Sequence, residues 1–561
     1  MRIQTRISVA ILTGALLFSC ARKDPSGSEI NLVPATFNES PDYWCTWGAQ
    51  NYASDTTAVL NSLSLGPHSV TAANLTEERL FGKGGWSSAF PGLLRQDLIL
   101  LFDLGWDIHE NESIINSNWK LGSLEVAQDK FPSCSGSREN RLRVLDSLVR
   151  HNGWKGTGIW LPAHPYHDYF SGIRMEDADV RSFYENALFM SRNAGISYWK
   201  IDYGYRGSDI GFRAMITELS EVNAPGMIVE HSRGSGPLSD EQCPWDTDNF
   251  HGTGSYRNWD DGRVLKTAVE IARVSHVLRT YDITQQLSIP TTLDRVSQIL
   301  YELSGSDAAV ILNCEDEPYT GAVLGCALGI LRHPGMICPE GTNYDPFRFR
   351  YKVDEVLRAV RWHRIAPAWS AGCGEILLDS VRLQDSWYFR KGDAWATWVT
   401  GREVVQTATA RVSRGLPLPG VKCDGEPPYV ICSRHPNGAI SVGTLPRISA
   451  ADGITYPLAD VTIRIEDPAV PIGIFGRYRS LKLSFETPIR PHRTRILGQD
   501  LASDRAVDIT DRVNLQSTQL IIPGKVISET GLSGAKEGDL SEPGMVLRIV
   551  DKAGSMLAKD K

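Results

Sequence analysis

Short apolar runs alternate with amphipathic stretches from residue 41 to residue 365, which predicts strands separated by helices. The strand candidates are YWCTW (43–47), LILLFDLGW (98–106), GTGIWLP (156–162), ISYWKID (196–202), GMIVEHS (226–232), AAVILNC (308–314) and GILRHPGMIC (329–338). Between them lie segments such as RENRLRVLDSLVRHNG, where Leu142, Val144, Leu145 and Leu148 are spaced for one buried helix face. Seven strands are read directly, and an eighth is expected near residues 248–256, where FHGTGSY has poor strand propensity. Repeated βα units of this number and length predict a (β/α)8 TIM barrel over 41–365.

Beyond residue 366 helical periodicity fades. DSWYFRKGDAWATWVTG, GAISVGTLP, ADVTIRIED, YRSLKLSFE and TQLIIPGK are β-rich runs punctuated by Gly and Pro, so 366–561 reads as a C-terminal antiparallel β-sandwich. Its aromatics Trp387, Tyr388, Trp395 and Trp398 read as packing residues. At the other end, Arg2 and Arg6 precede the apolar run ISVAILTGALLFS, too short for an ordinary membrane span. The run ends Leu17-Phe18-Ser19-Cys20-Ala21, which resembles a bacterial lipobox. Residues 1–19 are then expected to be a signal peptide, Cys20 the lipidated residue and 20–40 a tether. Attachment to a membrane would be through that anchor only, in a Gram-negative-type envelope.

A length of 561 residues calls for more than one domain, and a formal net charge of −8 gives no electrostatic reason to expect nucleic acid. The 15 tryptophans and 18 tyrosines suit both core packing and stacking on sugar faces. Besides Cys20, nine cysteines are scattered without a CxxC pair, which argues against a zinc ribbon or redox motif. Cys423 and Cys432 are close enough in sequence for a local disulfide, a pairing that spacing leaves open.

In a barrel the residues at the C-terminal ends of the strands converge on one mouth. Lys200 and Asp202 close the run GISYWKIDYG one residue apart, so both face the same side of their strand. An ammonium beside a carboxylate keeps it ionised, which suits a nucleophile, and a surface ion pair has the same spelling. Carboxylates recur from strand to strand: Asp103, Asp107, Glu230, Asp260, Asp261, Glu315, Asp316 and Glu317. Paired carboxylates flanking a bond are what glycoside cleavage needs. No Ser-His-Asp order or phosphate-binding glycine loop competes.

At these segments the chain resembles the clan of retaining α-galactosidases, glycoside hydrolase families 27 and 36. SPDYWCTWGAQNY resembles the family's opening strand, and LILLFDLGWDI its Asp-Asp-Gly-Trp strand. DKFPSCSGSRENRLRVLDSLVRHNGWKGTGIW, YWKIDYG and SYRNWDDG follow in family order. The resemblance implies Asp202 as the nucleophile and Asp261, four residues after Arg257, as the acid/base. Asp260, directly before it, is the alternative. It implies Lys200 on sugar hydroxyls, Glu230 and Arg257 at the 2-hydroxyl side, and Trp47 against the sugar. Asp103 would bind the far end of the ring, and Trp160 joins the substrate-binding set. The second Asp of the family pair is Leu104 here, which points away from plain galactose unless Asp107 replaces the contact.

The expected activity is hydrolysis of an α-galactoside or related α-linked sugar by double displacement. The expected partner is carbohydrate, with no cofactor and no metal. Transfer to a sugar acceptor at the same site, or glycan binding without catalysis, are the alternatives. His164 and His167 admit a metal reading and 313–317 a calcium reading. Hydrogen-bonding and rim roles are the plainer ones.

Overall fold

Eight short strands run parallel: β1 Tyr43–Cys45, β2 Ile99–Phe102, β3 Gly156–Leu161, β4 Tyr198–Ile201, β5 Ile228–Ser232, β6 Val277–Arg279, β7 Ile311–Asn313 and β8 Gly329–Ile330. Each pairs with its sequence neighbour from β1 through β7, and β1 also pairs with β8. A parallel bridge between Asn313 and Ala327, with Cys314 N–H donating to Ala327 O over 3.1 Å, joins β7 to the approach of β8. The sheet is thus a nearly closed barrel. The computed structural model describes residues 30–53, 68–108, 122–165, 177–202, 204, 206–207, 209–232, 263–280, 287–334, 353–389, 402–537 and 539–552.

Helices Arg138–His151, Asp177–Ala194, Ile210–Asn223, Arg263–Arg273, Ser288–Leu303 and Pro318–Leu324 occupy the successive crossovers from β2 to β8. The first is capped by Ser137, which accepts from Asn140 N–H, and it buries Leu142, Leu145 and Val149. Strand parity sorts the rest. Trp44, Leu100, Phe102, Ile159, Trp199, Ile201, Val229, Leu278 and Leu312 join the large core beneath the helices. Tyr43, Cys45, Ile99, Leu101 and Tyr198 form a separate cluster of the opposite parity, which fills the barrel. Gly329 makes room inside. A Cβ there would lie 2.7 Å from both Tyr43 Oη and Asn313 Nδ2.

The sixth strand is where sequence reading failed. It is the three-residue Val277–Arg279, between β5 and β7, and not the expected segment 248–256, which lies outside the described residues. Three residues carry too little apolar periodicity to stand out. As a consequence SYRNWDDG precedes, in chain order, the helix Arg263–Arg273 that leads into β6.

The C-terminal region holds an eight-stranded and a five-stranded sheet. They face one another through a shared core including Val430, Ile440, Val442, Val461, Ile463, Leu481, Leu483 and Ile522. Pairing is mostly antiparallel, with three parallel exceptions: Arg411–Arg414 with Tyr429–Arg434, Ile440–Leu445 with Ile472–Phe475, and Asp460–Ile465 with Ser480–Phe485. Helices Pro318–Leu324 and Val353–His363 pack on the outer face of the larger sheet. There Arg358 makes a fully buried, two-pronged pair with Asp500 at 2.7 and 3.0 Å. Cys423 and Cys432 are both free thiols, so the local disulfide is not formed; Cys432 is buried in the sandwich core. Trp387 is buried and Tyr388 exposed, while Trp395 and Trp398 lie outside the described residues. Among the described residues no helix is long and apolar enough to cross a membrane.

Candidate active site

Register places one set of polar side chains on the inner parity of the barrel. Trp160 is opposite Lys200, Lys200 opposite Glu230, Ser232 opposite Arg279, and Arg279 opposite Asn313. Asp202 follows β4 directly, its N–H donating to Leu161 O over 3.0 Å. Its Oδ1 accepts from Ser232 Oγ at 2.6 Å and its Oδ2 from Trp160 Nε1 at 2.9 Å. Lys200 Nζ stands 3.6 Å and an Arg279 guanidinium nitrogen 3.8 Å from Oδ2.

Burial alone raises the Asp202 pKa. Lys200, then Arg279, then the Ser232 and Trp160 hydrogen bonds outweigh it and hold the carboxyl well below the usual range. Lys200 is itself gripped by Asp103 Oδ2 at 2.6 Å, an oxygen that also accepts from Cys45 Sγ at 3.0 Å. Burial and Arg279 lower the Lys200 pKa, but Asp103, Cys45 and Asp202 outweigh them and keep it cationic. Of these charged groups Asp202 is the most exposed, at 8%, against 3% for Asp103, 1% for Lys200 and 4% for Arg279. It is the one best placed to meet a ligand.

The other expected residues take different places. Glu230 is wholly buried. Its carboxylate accepts from Tyr43 Oη at 3.0 Å, Tyr198 Oη at 2.8 Å and Asn313 Nδ2 at 2.6 Å. Burial pushes its pKa up against Arg279 and Asn313. Glu230 therefore braces β5 to β1, β4 and β7. Trp47 opens the helix Trp47–Ala53 and is half-buried against Leu104, Ile108 and Trp160. Arg257, Asp260, Asp261 and Cys20 lie outside the described residues, as does His167.

His164 is buried, and burial lowers its pKa to about 3, so it is neutral. Among the described residues no group of His, Cys, Asp and Glu is arranged to hold a metal. The acidic run after β7 is engaged by protein: Glu315 pairs with Arg279, Asp316 with Arg332 at 3.0 Å, and Glu317 accepts from Ser288 Oγ.

Sequence reading missed Arg279, Ser232, Asn313 and the role of Glu315. Ser232 was available from parity, two residues beyond Glu230. Arg279 is hidden because its strand is only three residues long.

The barrel carries an ionised carboxylate flanked by two cations and two neutral donors, an arrangement that suits a nucleophilic carboxylate. No protein-family profile matches the sequence, and no curated protein does. Among solved structures, the chain is similar to α-galactosidase I from Mortierella vinacea, with 11% identity, a TM-score of 0.37, and 92% of this chain and 98% of that one covered. It is similar to a family-27 β-L-arabinopyranosidase from Geobacillus stearothermophilus, with 9% identity, a TM-score of 0.38 and coverage of 91% and 96%. It is also similar to an α-galactosidase from Saccharomyces cerevisiae solved with raffinose, with 11% identity, a TM-score of 0.34 and coverage of 92% and 96%. The likeness is structural and at low identity; the fold stands on the strand pairing itself.

Proposed function

We propose that the chain is a retaining α-glycosidase in which Asp202 attacks the anomeric carbon of a terminal α-linked sugar. The observation that carries this is the environment of Asp202: ionised, the most exposed of its charged cluster, and hydrogen-bonded by Ser232 and Trp160 without being closed off by a cation. Attack displaces the aglycone as its oxygen takes a proton from the acid. Water, deprotonated by the same group, then cleaves the glycosyl ester and frees Asp202. Trp47 offers a face for the sugar ring. The apolar wall of Leu104 and Ile108 behind it favours a sugar edge bearing hydrogen or methyl over one bearing a hydroxyl.

Asp261 is the first candidate for the acid/base, with Arg257 beside the substrate. A second candidate is Asp282, three residues after Arg279 in sequence, where Arg279 closes β6 and lies beside Asp202. Both aspartates lie outside the described residues. Lipid anchoring through Cys20 in the cell envelope is part of the same proposal, and labelled palmitate incorporation lost in Cys20→Ala would support it.

The test is a panel of aryl glycosides: α-galactoside, α-N-acetylgalactosaminide, α-D-fucoside, β-L-arabinopyranoside and α-glucoside. Turnover of one member, lost in Asp202→Asn, is expected. Between Asp261→Ala and Asp282→Ala, the variant that loses activity and regains it with azide identifies the acid/base. Turnover undiminished in Asp202→Asn would overturn the proposal.

A further inference from the structure

Two cations flank Asp202, and neither is within hydrogen-bonding distance of it. Lys200 stands off at 3.6 Å and Arg279 at 3.8 Å. Each is bound more closely to a second carboxylate, Lys200 to Asp103 and Arg279 to Glu315. An arginine whose main anion were the nucleophile would close on it two-pronged, because that geometry is the strong one. A carboxylate so gripped has its lone pairs occupied and attacks poorly. A cation held at a distance keeps the charge and leaves the lone pairs free.

Glu315 is placed for this task by an unusual backbone. It lies two residues beyond Asn313, past the end of β7, with φ of 21°, and Asp316 follows with φ of 50°. Two successive non-glycine residues in this region are strained, and such strain persists only where the surroundings enforce it. Here β8 enforces it. Asp316 N–H donates to Gly329 O at 2.8 Å, and Asp316 Oδ1 accepts from Leu331 N at 3.1 Å, Arg332 N at 3.2 Å and Arg332 Nε at 3.0 Å. Glu315 N–H donates to Asn313 Oδ1 at 2.9 Å. The turn is fastened to the next strand, and the Glu315 carboxylate ends wholly buried against Arg279.

We infer that Glu315 is a positioning residue for the nucleophile: as the counter-anion of Arg279, it keeps that guanidinium from closing on Asp202. The inference rests on the glycosidase reading of the site. Neutralising Glu315 releases Arg279 toward Asp202, so the attack step slows while sugar binding is kept.

The experiment is covalent inactivation by 2-deoxy-2-fluoroglycosyl fluorides matched to the preferred sugar, which separates the bond-forming rate kinact from the binding constant KI. Glu315→Gln is expected to lower kinact by about tenfold or more with KI little changed. Glu315→Asp, which keeps the charge, is expected to recover most of the rate. Should Glu315→Gln fail to fold by near-UV circular dichroism, Arg279→Met/Glu315→Met replaces the pair by apolar groups of similar size; with no guanidinium left to close on Asp202, it is expected to keep kinact within about tenfold of native. A folded Glu315→Gln with native kinact, a folded double variant that falls further than that, or either variant losing KI and kinact together, overturns the inference and leaves the glycosidase reading intact. A native chain that forms no adduct with any probe overturns both.

Discussion

Asp202 and Asp107 are both buried aspartates at the barrel mouth, yet their surroundings drive them to opposite states. Asp202 has two cations and two donors and stays ionised. Asp107 accepts from Gly122 N–H at 2.6 Å on Oδ2. Burial lifts its pKa from an ordinary 3.8 to about 7, against the pull of Gly122 and Lys130. A folded pKa above the unfolded one makes a contribution to stability that is full below about pH 4 and lost as the pH rises through about 7. Relative to Asp107→Asn, the native chain is therefore expected to lose up to about 4 kcal/mol between pH 4 and pH 8. Urea denaturation of both proteins across that range measures it; parallel stability curves would contradict it. Leu104 gives a second residue-scale prediction. Leu104→Asp puts a carboxylate into the wall formed with Ile108 and Trp160, and is expected to shift preference toward hydroxylated sugars in relative kcat/KM. An unchanged ranking would mean that the sugar does not meet this wall.

At the scale of the element, each barrel strand contributes alternate residues to the interior, so a single wrong atom there is felt across several strands. Gly329→Ala inserts a methyl where Tyr43 Oη and Asn313 Nδ2 already lie 2.7 Å from the ideal Cβ. It is expected to cost about 1–3 kcal/mol and to disturb the Tyr43–Glu230–Asn313 brace, seen as a lower thermal midpoint together with reduced kcat. The same alternation explains what the sequence made legible. β1 to β4 are buried on both faces and lie within mainly apolar runs, so they were visible, and parity then put Lys200 and Asp202 on one side. β6 is Val-Leu-Arg, with no run to see, and the long segment between Ser232 and Arg263 drew attention to the wrong place. Arg279 and its pairing with Glu315 were invisible for a deeper reason. They depend on register between β6 and β7 and on a left-handed turn, neither of which leaves a local pattern.

Across the whole molecule, the sandwich is more than an appended domain. Its eight-stranded sheet shields the helices after β7 and β8, and β7 and β8 carry Asn313, Glu315 and the Asp316 clamp. Arg358 to Asp500 is the buried charge contact in that interface. Removing one partner strands the other, so Arg358→Leu is expected to cost about 3–5 kcal/mol, measured by chemical denaturation. A cost near zero would mean that the apolar contacts of Tyr319, Trp362 and Phe475 hold the interface unaided. The change from helices to strands after His363 was readable because helical and strand periodicities differ. The three parallel pairings within the sandwich were not, since strand order is set by long-range contacts that composition does not encode.

If Asp202 is the nucleophile, it becomes covalently bonded to sugar, and that bond can be trapped. The native chain, incubated with 2-deoxy-2-fluoroglycosyl fluorides of galacto and L-arabino configuration, is digested and sequenced by mass spectrometry. One fluoroglycosyl ester is expected, on the carboxylate of Asp202, and none in Asp202→Asn. Turnover of aryl glycosides with the label on another carboxylate, or with no ester formed, would contradict it.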